Sequence, residues 1–369
     1  MADELYKFLF EGLPVRGMLV RLDAGWREAL QRRVAVGAFP PPVRALLGEM
    51  AAAGVLMQAS IKFDGALVLQ VFGDGPVKLA VAEVQPDLAF RATAKVVGEV
   101  DDAAQLEAMV NVHGHGRCAI TLVAAGPPQG DSATRGPTPE ASRGPTAPLD
   151  KSDGRQPYLG VVALHGDARE PLQQLSQVLE HYMLQSEQLD TRLILAADDT
   201  VAAGLLIQRM PVEGAGNLPA ARREDEIGIN EAFRQRRAVP KRPELPSGKA
   251  SEASWGSSFN RIALLAATLT RNELLALDAE TLLRRLFWED DLRRFEPMHP
   301  RFACNCSRER VRNMLRSLGQ PEVDGIVVER GAVEIGCDFC GLQYRFDAVD
   351  VGAIFVREAE QPPGSSAVQ

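Results

Sequence analysis

The chain has 369 residues, of which 46% are hydrophobic and 24% charged, a composition typical of a soluble globular protein. This length exceeds one typical domain, so two or three folded units are expected. The net charge of -8 argues against a nucleic-acid-binding protein, which usually carries a basic face, and no stretch approaches the roughly 20 apolar residues of a membrane span.

The chain begins with an acidic stretch, Met1–Lys7, which lacks the basic and then apolar layout of a signal peptide. We therefore expect a cytoplasmic location, where thiols are kept reduced. In that compartment, closely spaced cysteines more often hold a metal ion or sense redox state than form permanent disulfides.

The first 125 residues alternate between strand-like and helix-like patterns. Trp26–Arg33 and Pro42–Ala53 have the periodicity of helices. Residues 60–71 are predicted to form two strands around an Asp-Gly turn, and a second Asp-Gly turn at 74–75 leads into another strand. These consecutive strands indicate a sheet that is at least partly antiparallel.

Residues 127–157 interrupt this order with seven prolines and almost no bulky apolar side chains. Such a segment cannot bury enough surface to offset its ordering entropy, so it is predicted to be a disordered insertion. It lies between strands predicted at 119–123 and 158–164. The predicted N-terminal domain therefore continues past it, to residue 213.

Ordered structure is predicted again from Tyr158 onward. A helix is expected over Pro171–Gln185, followed by strands at Thr191–Ala196 and Leu205–Met210. Residues 214–254 are polar and proline-containing, and we interpret them as a mobile connector.

A helical linker is predicted over residues 255–299. Thr270 with Glu273 forms the pattern of a capping box, and Asp278 is placed to cap the helix that follows. These helices are too short to be stable alone. They must therefore dock their apolar faces on another element, which we expect to be the N-terminal sheet.

The last ordered module is predicted over residues 300–358, with a disordered tail at 359–369. It contains two close cysteine pairs, Cys304 with Cys306 and Cys337 with Cys340, separated by thirty residues. Ser307 is expected to cap a helix that ends at Gly319 and whose inner face comprises Val311, Met314, Leu315 and Leu318. Alternating residues over 342–347 indicate a strand leaving the second pair.

Four cysteines in this arrangement are what a tetrahedral zinc–thiolate site requires, but the same sulfurs could instead close two short disulfides. A zinc ribbon that only holds structure is one interpretation. A redox switch is the other, because thiolates are also the species that oxidants attack. The first pair is CxC, so each half of the site could oxidise locally.

Other candidate residues do not indicate an enzyme. Cys118 lies in an apolar run and is expected to be a buried strand residue. His113 and His115 are predicted in a turn between a helix and a strand, and Asp198 and Asp199 in a turn between strands. All four positions of the zinc site are filled by sulfur, which leaves no open position for catalysis.

Several motifs in the same order resemble the heat-shock protein 33 family of redox-regulated chaperones. The cysteine module matches at residues 304–310 and 337–340. Tyr182–Gln188 resembles the family's Y-M-x-Q-S-E-Q stretch, and Ala202–Gln208 resembles its A-A-G-L-L-x-Q strand. The resemblance covers nearly the whole chain apart from 127–157 and much of 214–254.

The resemblance implies an α+β fold, with an N-terminal α/β sheet-and-helix domain, a helical linker docked on it and a small C-terminal zinc-binding module. It implies one Zn²⁺ per chain in the reduced state, held by Cys304, Cys306, Cys337 and Cys340. It also implies disulfides Cys304–Cys306 and Cys337–Cys340 in the oxidised state.

The function implied by this family is that of an ATP-independent holdase against oxidative stress. Oxidation would release zinc, unfold the module and the linker, and let the protein bind unfolding clients as a homodimer. No nucleic acid or membrane partner is expected. A zinc module that stays folded and docks a partner is the alternative that the residues leave open.

Overall fold

The computed structural model describes residues 3–34, 36–124, 158–210 and 251–355. The predicted disordered insertion and tail lie outside these ranges, as does the predicted connector up to residue 250. The chain divides into two compact units. The first comprises Met1–Leu30 and Phe39–Phe302, and the second comprises Gln31–Ala38 and Ala303–Gln369.

Eleven strands of the first unit lie within the described residues. In chain order they are β1 (Glu4–Phe10), β2 (Val15–Leu22), β3 (Gly65–Phe72), β4 (Val77–Val84), β5 (Ala89–Val96), β6 (Arg117–Ala124), β7 (Tyr158–Ala163), β8 (Thr191–Ala197), β9 (Ala202–Arg209), β10 (Leu292–Arg294) and β11 (Arg301–Phe302). They form a five-stranded sheet in the order β10-β1-β2-β9-β8 and a six-stranded sheet in the order β11-β5-β4-β3-β6-β7. Every strand pair is antiparallel except β11 with β5.

Seven helices of the described residues begin in the first unit. They are α1 (Ala24–Val34), α2 (Pro41–Ser60), α3 (Leu106–Val110), α4 (Leu175–Glu187), α5 (Ser251–Ala267), α6 (Arg271–Ala276) and α7 (Ala279–Phe287). Within the described ranges, none of the helices combines the length and the apolarity that a bilayer crossing needs.

Helix α2 lies between the two sheets and is buried along most of its length. A Cβ atom on Gly48 would lie 2.4 Å from Ala197 of β8, and one on Gly54 would lie 2.9 Å from Val84 of β4. The absence of a side chain at these positions therefore lets α2 approach both sheets closely. A helix enclosed on all sides needs apolar residues on all faces, which matches this sequence.

Two sequence predictions for this region are corrected by the structure. The predicted helix Pro42–Ala53 continues to Ser60, and residues 61–64 form no strand, so the first predicted hairpin is wrong. Residues beyond Ala53 include Val55 and Leu56, whose apolar run does not distinguish a buried helix from a strand. The second predicted hairpin is confirmed as β3 and β4.

The linker helices α5, α6 and α7 cover the face of the five-stranded sheet opposite α2, as the sequence predicted. Buried residues of both layers form one apolar cluster, which includes Phe8, Phe10, Val15, Leu19, Leu205, Ile207, Ile262, Leu274, Leu282, Leu283, Leu286 and Phe287. The predicted caps are confirmed. The Glu273 N–H donates to Thr270 Oγ1 at 3.3 Å, and the Thr281 N–H donates to Asp278 Oδ1 at 2.9 Å.

Two arginines hold the short helix α6 against the sheet. Arg21 of β2 donates to the carbonyl of Leu275 at 2.7 Å and to that of Leu277 at 3.3 Å, which satisfies carbonyls at the end of α6. Arg271, at the start of α6, donates to the carbonyl of Ala197 at the end of β8. The two arginines therefore donate hydrogen bonds to main-chain carbonyls of both the helix layer and the sheet.

Beyond α7, the linker adds a strand to each sheet in turn. β10 pairs with β1 of the five-stranded sheet, and the Met298 N–H then donates to the Leu5 carbonyl at 2.9 Å. β11 pairs in parallel with β5 of the six-stranded sheet. The Arg301 guanidinium also forms an ion pair with Asp87 at 2.5 Å. The segment from Leu292 to Phe302 thus connects the edges of both sheets.

Candidate metal centre

The second unit is small, and its described residues from Ala303 to Phe355 contain a hairpin and three helices. These elements are β12 (Val333–Gly336), β13 (Gln343–Phe346), α8 (Arg308–Leu318), α9 (Gln320–Arg330) and α10 (Ala348–Phe355). Its buried core consists of Leu315, Val323, Val333, Tyr344, Phe346, Val351 and Ile354. So few apolar residues give a core of only about 3–5 kcal/mol, so the unit needs an additional source of stability.

The first cysteine pair lies on the turn that leads into α8. Cys304 and Cys306 precede Ser307, whose hydroxyl accepts a hydrogen bond from the Arg310 N–H at 3.2 Å and caps the helix as predicted. The helix ends at Gly319, also as predicted. The cap fixes where the helix starts and so directs this pair of sulfurs toward the hairpin.

The second pair lies on the tight turn between β12 and β13. The Gly341 N–H donates to the carbonyl of Cys337 at 2.8 Å, and the Cys337 N–H donates to the carbonyl of Leu342 at 2.9 Å. Gly341 has a φ of +72°, a left-handed conformation that glycine adopts without steric cost. This turn keeps Cys337 and Cys340 on the same side of the hairpin.

The structure brings the four sulfur atoms together. All four lie within 4.8 Å of one another. The Cys304 and Cys337 sulfurs are 3.6 Å apart, and the Cys306 and Cys340 sulfurs are 3.3 Å apart. Sulfurs bound to one tetrahedral zinc ion at about 2.3 Å would be about 3.8 Å apart, so the donor set fits such an ion. All four cysteines are free thiols in this structure.

The surroundings of the sulfurs favour a bound cation. Burial raises the pKa of the Cys340 thiol, the most enclosed of the four. Four thiolates this close would also repel one another. A divalent cation would remove both costs, because it keeps coordinating thiols deprotonated.

Tyr344 of β13 provides a polar contact to the site. Interaction of its hydroxyl with the neighbouring Cys306 thiol, together with burial, raises the pKa of Tyr344. The residue is otherwise buried in the core of the second unit. The alternation over residues 342–347 predicts a strand through Tyr344, but no sequence pattern connects this residue with the cysteines. The only sequence signal was that Tyr344, an aromatic residue with a hydroxyl group, occupies an inward-facing strand position close to the second cysteine pair.

Arg308 connects α8 to the hairpin and to α10. Its guanidinium stacks on the Phe346 ring at 4.2 Å from the ring centroid, donates to the carbonyl of Arg345 at 2.9 Å and forms an ion pair with Asp350 at 2.8 Å. These contacts fix the helix that follows the first cysteine pair. They support the positions of the sulfurs without touching them.

One prediction for α8 is only partly correct. The expected inner face comprised Val311, Met314, Leu315 and Leu318. Leu315 is fully buried and Val311 packs against the core, but Met314 is 44% exposed and Leu318 is 54% exposed. The apolar core beneath this helix is too small to cover a wider stripe.

The remaining candidate residues belong to the first unit and are not members of the cysteine cluster. Cys118 lies in β6 and is fully buried, which raises the pKa of its thiol to about 12. His113 and His115 lie in the turn before β6, where their main-chain N–H groups donate to Asp74 at 3.1 Å and 2.8 Å. Asp198 accepts hydrogen bonds within the turn between β8 and β9, as its predicted location required.

Comparison with known proteins gives a consistent result. The model of the family described as "Hsp33 protein" matches residues 3–347. The 33 kDa chaperonin of Chromobacterium violaceum is 40% identical over 353 residues, which cover 96% of this chain and 94% of that protein. The 33 kDa chaperonin of Methylobacillus flagellatus is 37% identical over 363 residues, which cover 98% of this chain and 97% of that protein.

A solved structure has the same fold. The crystal structure of the 33 kDa chaperonin (heat shock protein 33 homolog) from Thermotoga maritima superposes with a TM-score of 0.63 at 17% identity. The superposition covers 96% of this chain and 97% of that one. This likeness agrees with the predicted α+β fold, with its N-terminal sheets and helices, its docked linker and its C-terminal cysteine module.

Proposed function

The chain belongs to the Hsp33 family, and from this premise we propose that it is a redox-regulated, ATP-independent chaperone that acts as a holdase. The observation that carries the proposal is the cluster of four cysteine sulfurs in a unit with a very small core. Such a unit depends on its ligands, so chemistry at the sulfurs controls whether it stays folded.

In the reduced protein, Cys304, Cys306, Cys337 and Cys340 would hold one Zn²⁺ as thiolates. A structural zinc site contributes roughly 10–16 kcal/mol to folding, several times the value of a core this small. The unit would therefore be folded while the thiolates bind the ion. In this state the linker helices cover the apolar face of the five-stranded sheet, and the protein binds clients poorly.

Oxidation would convert the four thiolates to two disulfides, Cys304–Cys306 and Cys337–Cys340. Each disulfide forms when one thiolate attacks peroxide, a hydroxide leaves, and the second thiolate displaces the hydroxyl from the resulting sulfenic acid. Two electrons pass to each peroxide molecule, which ends as water after protonation. The sulfurs then carry no negative charge, and the unit loses the ligands that bind zinc.

Loss of the folded unit would destabilise the linker and the strand β11 that follows it, because β11 ends only two residues before Cys304. Helices α6 and α7 have six and nine residues and are too short to be stable without the sheet. Their release would expose leucines and the apolar face beneath them, a surface suited to unfolding proteins. We further propose that the oxidised protein is a homodimer and that it acts in the cytoplasm.

Light scattering of a thermally aggregating client tests this proposal. Peroxide-treated protein should suppress aggregation, and the reduced, zinc-loaded protein should not. A Cys118→Ala variant is the matched control, because Cys118 is a buried residue of the first unit and is not one of the four clustered cysteines, and it should retain the difference. Equal suppression by the oxidised and reduced forms would contradict the proposed switch.

Native mass spectrometry separates this switch from a zinc module that stays folded. Hypochlorite should cause the loss of one zinc ion and of four hydrogens relative to the reduced apoprotein, and peptide mapping should find the two disulfides within the cysteine pairs. Zinc retained through oxidation that spares the rest of the fold would favour a static module. Disulfides between the pairs would show that the predicted connectivity is wrong.

A further inference from the structure

Strand β10 and the residues that follow it pair with the β1 edge of the five-stranded sheet. β1 has seven residues, whereas β10 has three, and the register places Leu292 opposite Phe10 and Arg294 opposite Phe8. Arg293 and Arg294 of β10 are exposed. The strand therefore brings few apolar side chains to the edge that it pairs with.

The hydrogen bonds of this edge alternate along β1. The Glu11 N–H donates to the carbonyl of Asp291 at 2.9 Å, and the Phe295 N–H donates to the carbonyl of Lys7 at 3.0 Å. In an antiparallel ladder every second residue makes such bonds. The odd-numbered residues of β1, including Leu9, therefore direct their main-chain groups toward the edge.

The even-numbered residues of β1 place their rings on the face that the linker covers. Phe8 and Phe10 belong to the apolar cluster beneath α5, α6 and α7. Their ring centroids lie 6.2 Å and 5.0 Å from that of Phe287 in α7. A Cβ atom on Gly17 would lie 2.2 Å from the Phe8 ring, so this ring occupies the space over Gly17 of β2. Once α7 has left, both rings would be exposed on the face of β1, at the edge of the sheet.

We propose that the edge of β1 binds an extended segment of an unfolding polypeptide once β10 and α7 have left it. This inference rests on the proposed holdase function and specifies how a client binds. β10 occupies the edge in the closed state as the client would in the open state. The client would add an antiparallel strand, a mode of recognition in which main-chain hydrogen bonds give affinity and alternate side chains give specificity.

The geometry defines the client segment. Its residues opposite Phe8 and Phe10 should be apolar, because their side chains lie over the uncovered face, and their N–H groups point away from β1. Its residues opposite Lys7 and Leu9 can be polar, and their N–H groups donate to β1. A segment of alternating apolar and polar residues meets both requirements.

Fluorescence anisotropy with three peptides tests this arrangement on the oxidised full-length chain. The probe is a fluorescein-labelled peptide of sequence Lys-Val-Thr-Leu-Lys-Val-Thr-Leu-Lys. One variant is N-methylated on three internal polar residues and a matched variant on three apolar residues, so that all side chains are kept. The first variant should lose affinity by about tenfold or more, because hydrogen bonds to β1 are removed. The second should stay within about twofold, because its methyl groups face solvent.

The same protein sample separates failure of this inference from failure of the proposed function. Suppression of client aggregation without binding of the unmodified peptide would overturn the edge site and leave the holdase function standing. Equal affinity for the two methylated peptides, or an equal loss, would also overturn it. An oxidised chain that does not suppress aggregation would contradict the proposed function, and the inference would fail with it.

Discussion

At the scale of single residues, Tyr344 is the clearest link between the core of the second unit and the sulfur cluster. Its hydroxyl interacts with Cys306, and its ring packs among Leu315, Val323 and Phe346. Polar groups beside a metal ligand help to orient it and are energetically significant. A phenylalanine at this position would keep the packing and remove only the hydroxyl.

We expect Tyr344→Phe to weaken zinc binding by about tenfold, the lower end of the range seen when partners of metal ligands are removed. Competition with a chromogenic chelator under reducing conditions measures the affinity. Tyr6→Phe, which removes a hydroxyl bound to Glu4 in the first unit, is the matched control and should leave zinc affinity unchanged. Equal affinities for Tyr344→Phe and the unaltered protein would show that the hydroxyl does not support the site.

Glu49 of α2 is a second residue of interest, because its ionisation affects the stability of the fold. Its side chain is half-buried, and burial of the carboxyl raises its pKa to about 8 although the nearby Arg271 guanidinium opposes the rise. Because this pKa lies above the ordinary value of 4.5, the fold favours the protonated carboxyl. The resulting stability is fully present below pH 4.5 and is lost as the pH rises through about 8.

Between pH 7 and pH 9 we therefore expect the free energy of unfolding of the first unit to fall by about 1 kcal/mol on account of this group. Urea unfolding at a series of pH values measures the effect. Glu49→Gln should lack this fall, whereas Glu99→Gln, at an exposed position, should retain it. A fall of the same size in Glu49→Gln would assign the pH dependence to other groups.

At the scale of elements, the linker combines three helices with two very short strands. The helices carry most of the apolar contact, while β10 and β11 add main-chain hydrogen bonds at the sheet edges. In β10 the Arg293 N–H faces β1, since it lies two residues from Phe295 in an alternating ladder. The Arg294 N–H faces away from β1. Proline substitutions at Arg293 and Arg294 therefore compare the loss of an N–H that faces β1 with the loss of one that faces solvent.

In the reduced protein, Arg293→Pro should increase amide exchange at Leu9 and Glu11 by about fivefold, because one hydrogen bond of about 1 kcal/mol is lost. Arg294→Pro should have little effect, since proline is tolerated on an edge strand where the N–H faces solvent. Arg293→Ala separates loss of the side chain from loss of the N–H. Hydrogen exchange followed by mass spectrometry measures these rates, and equal exchange in both proline variants would contradict the assigned ladder.

The sequence predicted elements that depend on local signals and missed those set by distant partners. Thr270, Asp278 and Ser307 were identified as caps because a cap is a short-range hydrogen bond. The full length of α2 was missed because a helix buried between two sheets has no polar face to reveal its period. The strand β10 was missed because Leu292–Arg294 acquires its conformation from β1.

The candidate site shows the same difference between what local sequence signals predict and what depends on distant contacts. The cysteine spacing indicated a metal site, and the structure brings the four sulfurs within 4.8 Å of one another. The contact between Tyr344 and Cys306 could not be read from the sequence, because it depends on how the hairpin folds over the first pair. The disulfide connectivity remains a prediction.

At the scale of the whole molecule, the two units differ in what stabilises them. The first has two sheets, a buried central helix and an extensive apolar core, whereas the second has seven buried core residues and a cluster of four thiols. Metal binding by the second unit would dominate its folding free energy. Removal of the ion should therefore unfold the second unit and leave the first unit folded.

A strong chelator added to the reduced protein should abolish amide protection in the second unit, for example at Leu315 and Val323. Protection at Val20 and Leu56 in the first unit should be retained. Hydrogen exchange reports both units in one sample, and re-addition of zinc should restore the lost protection. Continued protection at Leu315 in the metal-free protein would show that the second unit folds without its ion.

The connection of both sheet edges by the single segment Leu292–Phe302 has a further consequence for the order of opening. β11 contributes two paired residues and lies nearest to Cys304, while β10 and then α7 follow toward the N-terminus. Fraying that starts at the cysteine end would proceed toward the N-terminus, so β11 would detach first, then β10 and then α7. Partial oxidative damage would then give graded rather than all-or-none uncovering.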